Sequence, residues 1–333
     1  MKLKHVLFAL FGLITLGPLA VLWAWLASCL MEQEMADVKD RHLLFARNLA
    51  ANLQHYHRDI SSAFELMAEN LAAGKSVAKA DDIVQNLHFR HICLADAKTG
   101  AVRRQISPAG ALCPAKVPAE RFAMFKSLAE AKRLSFSEVM AGPDGKPLIY
   151  VVKPIGGWLA VGAVQTDYFV SLGKSVSFGI KGHAAIVDHA GNVLAHPMPD
   201  WVAARRNIAK VAAVAQMLKG KSGVGTFYSP AIKGDMIAGF APVSGPGWGV
   251  MVPQPLAELR ASANVARDSI LIVVAAGLLG AALLAALVTR PLARPLNRLI
   301  EATGEIEKGN SAARVDVIDS WYVPRELKDA QRR

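Results

Sequence analysis

Two long apolar segments bracket a long polar region, and this layout restricts the chain to few architectures. The first segment, residues 6–30, carries no charge, and as a helix it would reach about 37 Å, enough to cross a bilayer core of about 30 Å. The second segment, residues 269–289, is also long enough to cross. We therefore predict two transmembrane helices, with residues 32–268 together on one side of the membrane.

The charges that flank these segments predict an orientation. Lys2 and Lys4 precede the first segment and Arg290 follows the second, whereas acidic residues lie just inside the bracketed region. Because cytoplasmic flanks are enriched in lysine and arginine, residues 1–5 and the chain from residue 290 are expected in the cytoplasm. The expected location is a bacterial inner (cytoplasmic) membrane, with a multi-pass chain in contact with lipid and residues 32–268 in the periplasm.

The first segment has two alternative interpretations. A cleaved signal peptide has an apolar region of about 7 to 15 residues, which is shorter than residues 6–30, so an uncleaved anchor is favoured. The stretch Leu26-Ala27-Ser28-Cys29 also resembles the lipobox of bacterial lipoproteins, in which Cys29 would be lipidated. Such a match arises easily by chance in a span rich in alanine and leucine.

The formal net charge of +11 raises the question of nucleic-acid binding. The basic residues between the two apolar segments are spread out and form no runs interleaved with aromatic side chains, as a solvated surface would. We expect no nucleic-acid partner.

A helical pattern opens the polar region. Neither proline nor glycine occurs from Met31 to Ala73, so residues 32–75 are predicted to form one helix about 60 Å long, a mechanical strut. Apolar residues recur there at steps of three and four. This stripe consists of Leu49, Leu53, Tyr56, Ile60, Phe64, Met67 and Leu71.

Two later stretches of the sequence contain the same features in the same order. Each contains an aspartate, a turn glycine, a helical stretch, two strands joined by a Gly/Asp turn, and a closing Gly-Trp pair. The matched positions are Asp96 and Asp188, Gly100 and Gly191, and Trp158 and Trp248. We predict duplicated α/β modules, each an antiparallel sheet with a helix packed against it.

With these features residues 32–268 resemble a double Cache sensor domain. The second copy carries the resemblance best, through IVDHAGNVLAHPMPDW and GVGTFYSPAIKGDMIAGFAPVSGPGWGVMVPQPLAEL. The resemblance implies an α+β fold in which two stacked PAS-like modules, a distal module at 80–175 and a proximal module at 180–260, rest on the long helix. It also implies a transmembrane receptor for a small extracytoplasmic ligand, without a cofactor.

The chain from residue 290 to residue 333 resembles a HAMP linker, a helical module that relays motion from a membrane span. This segment contains a heptad seam that two copies of the chain could share, which favours a homodimer. The seam consists of Leu292, Leu296, Leu299, Thr303 and Ile306. The second HAMP helix is incomplete, so we expect an output module such as a kinase or diguanylate cyclase beyond residue 333, or an output supplied by a partner protein.

The resemblance also implies a ligand pocket in the distal module, between the sheet and the flanking helices. Tyr150, Lys153, Trp158 and Asp167 are the candidate contacts, because aromatic rings provide apolar walls and the two charges could pair with a ligand. The alternative is that the rings belong to the core and the charges are solvated. The strand at 162–165 lacks the aspartate that the family uses for amino acids, which disfavours an α-amino-acid ligand.

The proximal module offers further candidate contacts in His196, Tyr228 and Asp235, each with a structural role as the alternative. Catalytic patterns are lacking, since the sequence contains no GxSxG elbow, and we expect no enzyme activity in this chain. His88 and His91 lie near Cys93 without a HExxH or CxxC context, so no metal is expected.

Cys93 and Cys113 would lie in an oxidising compartment, and a disulfide between them is predicted. Its loop of roughly 20 residues corresponds to about 3 kcal/mol of stabilisation. The alternative is two separate small apolar side chains. Two other functions also stay open: a truncated sensor without output that acts as a binding or partner subunit, and a membrane-anchored extracytoplasmic enzyme.

Overall fold

A computed structural model describes residues 3–108, 113–131, 134–176, 180–230 and 232–307. The chain divides into two compact units, one formed by Met35–Ala261 and the other by Met1–Glu34 with Ser262–Arg333. The helices are α1 (Leu3–Ala72), α2 (Ala80–Asn86), α3 (Ala119–Ala131), α4 (Asp167–Ser175), α5 (Pro199–Ala203), α6 (Ala212–Leu218) and α7 (Leu256–Glu307).

The unit Met35–Ala261 contains two antiparallel sheets, which confirms the predicted α+β class. The distal sheet consists of β1 (Phe89–Asp96), β2 (Val102–Ile106), β3 (Ser135–Phe136), β4 (Met140–Ala141), β5 (Pro147–Ile155) and β6 (Trp158–Gln165). The proximal sheet consists of β7 (Ala185–Val187), β8 (Val193–Ala195), β9 (Gly223–Ser229), β10 (Gly234–Pro242) and β11 (Gly249–Pro255).

The two sheets share one topology. The distal order is β2-β1-β6-β5-β3, with β4 paired to β5, and the proximal order is β8-β7-β11-β10-β9. In both, the first two strands form a hairpin at one edge, and the last strand pairs with the first. This correspondence agrees with the duplication that the sequence predicts.

Helix α1 supports both sheets. The predicted stripe is buried from Leu49 to Met67 and partly buried at Leu71, and it joins a single core with residues from one face of each sheet. Apolar residues spaced by three and four lie on one side of a helix, so that side faces the sheets. The opposite sheet faces carry separate cores, with α3 on the distal sheet and α6 on the proximal sheet.

Glycine permits a close approach of α1 to the proximal sheet. A Cβ atom on Gly239 of β10 would lie 2.1 Å from the carbonyl oxygen of His42, which belongs to the α1 backbone. No side chain fits at such a distance, so this strand accepts only glycine where α1 crosses it.

The modules meet around Trp248, whose buried ring lies 4.8 Å from that of Phe169 and 5.5 Å from that of Phe136. Asp188, fully buried, adds a polar link. Its Oδ2 accepts a hydrogen bond of 2.9 Å from the backbone N–H of Val139 in the distal module.

The other unit is helical wherever it is described. Several large apolar side chains of α7 are exposed there, including Ile272, Val273 and Leu279 at 70%, 71% and 74%. Among the residues whose side chains the structure also describes, no helix combines the length and apolarity needed to cross a membrane. The side chains of Cys29 and of the predicted HAMP seam (Leu292, Leu296, Leu299, Thr303 and Ile306) and the whole of 308–333 lie outside the described part of the chain.

Candidate functional site

The four predicted ligand contacts do not converge on one face of the distal sheet. Successive side chains of a strand point to opposite faces. Tyr150 of β5 therefore joins the core beneath α3, whereas Lys153, three positions further on, lies on the α1 face.

Lys153 forms ion pairs with two glutamates of α1. Its Nζ lies 2.9 Å from a carboxylate oxygen of Glu65 and 2.9 Å from one of Glu69. Partial burial lowers the pKa of Lys153, but the hydrogen bonds and charges of these two carboxylates outweigh it, so the pKa lies above its ordinary value. The lysine holds the strand to the helix.

Trp158 and Asp167 do not lie beside Tyr150 either. Trp158 is partly buried and packs against the core on the α1 side of the sheet. Asp167 is exposed in the first turn of α4, where a carboxylate suits the helix dipole. The role of ligand contact stays a prediction for all four residues, but Tyr150 alone lies beneath α3.

A polar pair occupies the α3 face around Tyr150. Arg121 of α3 donates from Nη1 to the Tyr150 hydroxyl at 2.7 Å and from Nη2 to the carbonyl of Ala141 at 2.8 Å. The Phe125 ring packs beside Tyr150, with centroids 5.0 Å apart. Burial raises the pKa of Tyr150, and the Arg121 charge opposes this shift.

Sequence reasoning missed Arg121 because the helical stretch that carries it has no regular apolar face. The available signal was a lone arginine near the start of a helix predicted to pack on the sheet. A guanidinium has five N–H donors in a planar fork. The two contacts with Tyr150 and Ala141 leave donors that could bind an anionic or carbonyl group.

His91 and a disulfide lie on the same α3 face, along β1. Cys93 and Cys113 are joined by the disulfide, with Cα atoms 6.5 Å apart. His91 is 5% exposed, and its Nδ1 has no hydrogen-bond partner among the described residues. Burial, with a smaller contribution from Arg90, lowers its pKa to about 4.

These three side chains have potential ligand atoms within 4.8 Å of one another. The two sulfurs share a covalent bond, however, and metals bind the thiolate form of cysteine. In this oxidised state the cluster offers a metal one imidazole and no thiolate.

The proximal candidates are dispersed as well. Tyr228 on β9 is 60% exposed, and Asp235 on β10 lies opposite it in the register, also exposed. His196 follows β8 and lines a cavity of about 300 Å³. Of the predicted contacts, His196 alone borders this described cavity.

The family model of dCache_1, described as a Cache domain, matches residues 30–263. No curated protein matches the chain in sequence. Among solved structures, the chain resembles the extracellular domain of the putative histidine kinase rpHK1S-Z16, with 15% identity, a TM-score of 0.53 and coverage of 66% of this chain and 95% of that one.

Two chemoreceptor domains have the same fold. The periplasmic sensory domain of Campylobacter jejuni Tlp1 shares 11% identity at a TM-score of 0.52, over 68% of this chain and 98% of that one. The ligand-binding domain of Pseudomonas fluorescens CtaA, solved with L-serine, shares 16% identity at a TM-score of 0.50, over 66% and 98%.

Proposed function

The chain belongs to the Cache domain family, and from this we propose that it is a transmembrane receptor that binds a small ligand outside the cytoplasm. The observation that carries the proposal is the partly buried Arg121–Tyr150 pair, which lies beside the apolar cluster on the α3 face of the distal sheet. Small-molecule sites commonly combine apolar walls with a few fixed polar groups. The CtaA domain, which has the same fold, is known in complex with L-serine.

The ligand class follows from the charge at this face. A guanidinium recognises planar anionic groups such as carboxylates through paired N–H donors. Arg121 is held in place by Tyr150 and Ala141, so little side-chain freedom is lost when a ligand binds. We propose that a small carboxylate-bearing ligand binds between α3 and the distal sheet, with Arg121 and Tyr150 in contact with it.

Signal transfer uses the two long helices. Helix α1 supports both modules, and α7 begins directly after β11 and continues through the second apolar segment. We propose that residues 6–30 and 269–289 cross the membrane and that residues 290–333 act as a HAMP-like relay in a homodimer, toward an output module or partner protein. The uncharged first segment and the exposed apolar side chains of α7 support the membrane crossing.

Ligand binding is tested by a thermal-shift screen of the full chain in detergent, against amino acids, organic acids and amines. A ligand at 100 times its dissociation constant stabilises the folded state by about 2.7 kcal/mol. We expect one class of carboxylate to raise the melting temperature in wild type, and Arg121→Gln and Tyr150→Phe to abolish the shift. Arg103→Gln, at an exposed arginine of β2, is the matched control. A folded protein that responds to no compound contradicts the proposal.

Membrane topology is tested separately, with alkaline phosphatase fused after residue 268 or after residue 333. The enzyme is active only outside the cytoplasm, so we expect activity from the first fusion and none from the second. Equal activity of both fusions would contradict the two-span arrangement.

A further inference from the structure

A cavity lies between α4 of the distal module and the start of the proximal module, away from Arg121 and Tyr150. It is bounded by the end of α4, by the segment 180–184 that leads into β7, and by the residues that follow β8. Its volume of about 300 Å³ is at the lower end of the range for small-molecule sites. The proposed function does not use this cavity.

Two histidines in its wall have assignable proton positions. The Nδ1 of His183 donates to the carbonyl of Lys181 at 3.1 Å, so its Nε2 is an acceptor in the neutral ring. The Nδ1 of His196 accepts from the backbone N–H of Met198 at 3.1 Å, so its Nε2 carries the proton. The rings lie 5.2 Å apart. The wall therefore has one imidazole acceptor and one imidazole donor.

Burial keeps both rings uncharged at neutral pH. It lowers the pKa of His183, against the hydrogen bond to Lys181. It also lowers the pKa of His196 to about 4, with smaller electrostatic contributions from His183 and Arg206 that disfavour a positive charge on the His196 ring. The two imidazoles thus provide polarity without net charge.

The positive charge comes from Lys174 and Lys181, which also line the cavity. Among the described residues neither ammonium forms an ion pair, and no aspartate or glutamate lines the cavity. The remaining wall is apolar, and Ile180 is 88% exposed at its edge. Two unpaired cations beside an apolar wall suit a small carboxylate with a hydrocarbon end.

The segment that carries this wall is hydrogen-bonded to α7. The backbone N–H groups of Ile180 and Lys181 donate to the Glu258 carboxylate, at 2.5 and 3.2 Å, in the first turn of α7. Gln254 donates to the same carboxylate at 3.2 Å and lies 3.1 Å from the ring of His42 on α1. A ligand in contact with Ile180 and Lys181 would therefore touch residues that are hydrogen-bonded directly to α7.

We propose that this cavity is a second ligand site, which takes a small aliphatic monocarboxylate and, when occupied, tightens the 180–181 connection to α7. The carboxylate pairs with Lys174 and Lys181, the imidazole N–H of His196 is an additional donor, and the hydrocarbon end covers Ile180. The site is independent of the distal one and lies closer along the chain to the helix that leaves the sensor.

Binding is tested by isothermal titration of the full chain in detergent with sodium butyrate and sodium hexanoate, and with hexan-1-ol as the uncharged analogue. We expect saturable binding of a carboxylate and none of the alcohol. The double variant Lys174→Gln/Lys181→Gln should weaken binding by at least about ten-fold. Lys210→Gln, at an exposed lysine of the proximal module, should leave it unchanged.

Arg121→Gln should also leave binding unchanged, which separates this site from the distal one. The proposal fails if neither carboxylate binds, if hexan-1-ol binds equally well, or if the double variant, with a wild-type circular dichroism spectrum, retains full affinity. Hydrogen exchange tests the proposed link between the ligand site and α7. Saturating hexanoate should slow exchange of the Ile180 and Lys181 amides, and unchanged rates would overturn that link.

Discussion

At the scale of single residues, the sensor buries several histidines in places that favour the neutral ring. His91 is the clearest case, because its Nδ1 has no hydrogen-bond partner in the described part of the chain and burial lowers its pKa to about 4. The pKa values of His57, His183 and His196 are lowered by burial too. The unfolded chain, in which histidine titrates near 6.5, therefore binds more protons below that pH than the folded chain does.

This difference predicts acid sensitivity. For His91 and His196 the stabilisation is complete above pH 6.5 and is lost as the pH falls from 6.5 toward 4. Each such group contributes a slope of at most about 1.4 kcal/mol per pH unit. We expect His91→Leu to reduce the slope of unfolding free energy against pH by up to one proton, measured by urea denaturation across this range. Parallel slopes for wild type and variant would contradict it.

The spacing of Tyr150 and Lys153 shows that a sequence can indicate which face of a strand a side chain lies on. In a strand, positions three apart face opposite ways, so the spacing itself predicts that these two side chains cannot share a pocket. The partners of each side chain could not be predicted, because Glu65, Glu69 and Arg121 come to β5 only through the packing of α1 and α3.

At the scale of elements, α1 and the two sheets were largely predictable. The buried stripe of α1 and the repeated Asp turns follow local patterns, and Asp96 and Asp188 both accept backbone N–H bonds within their turns. The closeness of α1 to β10 was not predictable, because glycine in a strand has several uses and only the packed structure shows that His42 lies above Gly239.

Replacement of Gly239 tests that contact. A methyl group there would meet the α1 backbone at 2.1 Å, so Gly239→Ala must displace the helix, and we expect it to cost more than about 2 kcal/mol. Gly225→Ala on the neighbouring strand is the control, since its Cβ would meet only a Phe240 side-chain atom at 3.8 Å. Chemical denaturation measures both, and equal losses would show that α1 does not constrain position 239.

The disulfide gives a second prediction at this scale. It ties β1 to the segment around Cys113, across 20 positions of sequence. Reduction by a phosphine should lower the unfolding free energy by about 3 kcal/mol, because the unfolded chain regains loop entropy. The variant Cys93→Ser/Cys113→Ser should be less stable than wild type and insensitive to the reductant. A wild type equally stable in both redox states would contradict the prediction.

At the scale of the whole sensor, the distal and proximal modules are expected to unfold together. They share the core on α1, and Asp188 links them through Val139. Asp188 also accepts bonds from the partly buried N–H groups of Ala190 and Asn192, so its removal leaves these donors and the buried N–H of Val139 unpaired.

Calorimetry of the full chain tests this coupling. We expect one transition for the sensor in wild type, and a loss of roughly 3 kcal/mol in Asp188→Ala. Asp235→Ala removes an exposed carboxylate of the same module and should change stability by less than about 0.5 kcal/mol. Similar effects of the two substitutions would show that the buried link contributes little.

The single helix beneath both modules has a consequence for insertions and deletions. The α1 backbone at His42 lies against Gly239 of the proximal sheet, and the Phe64 side chain lies against Gly162 of the distal sheet. The helix between these two contacts therefore fixes the angular relation of α1 to the two modules. One added residue would rotate the distal part by about 100° and turn its apolar stripe to solvent. Length changes of about 7 or 11 residues nearly restore the phase, so homologues that differ in length between these positions are expected to differ by such steps.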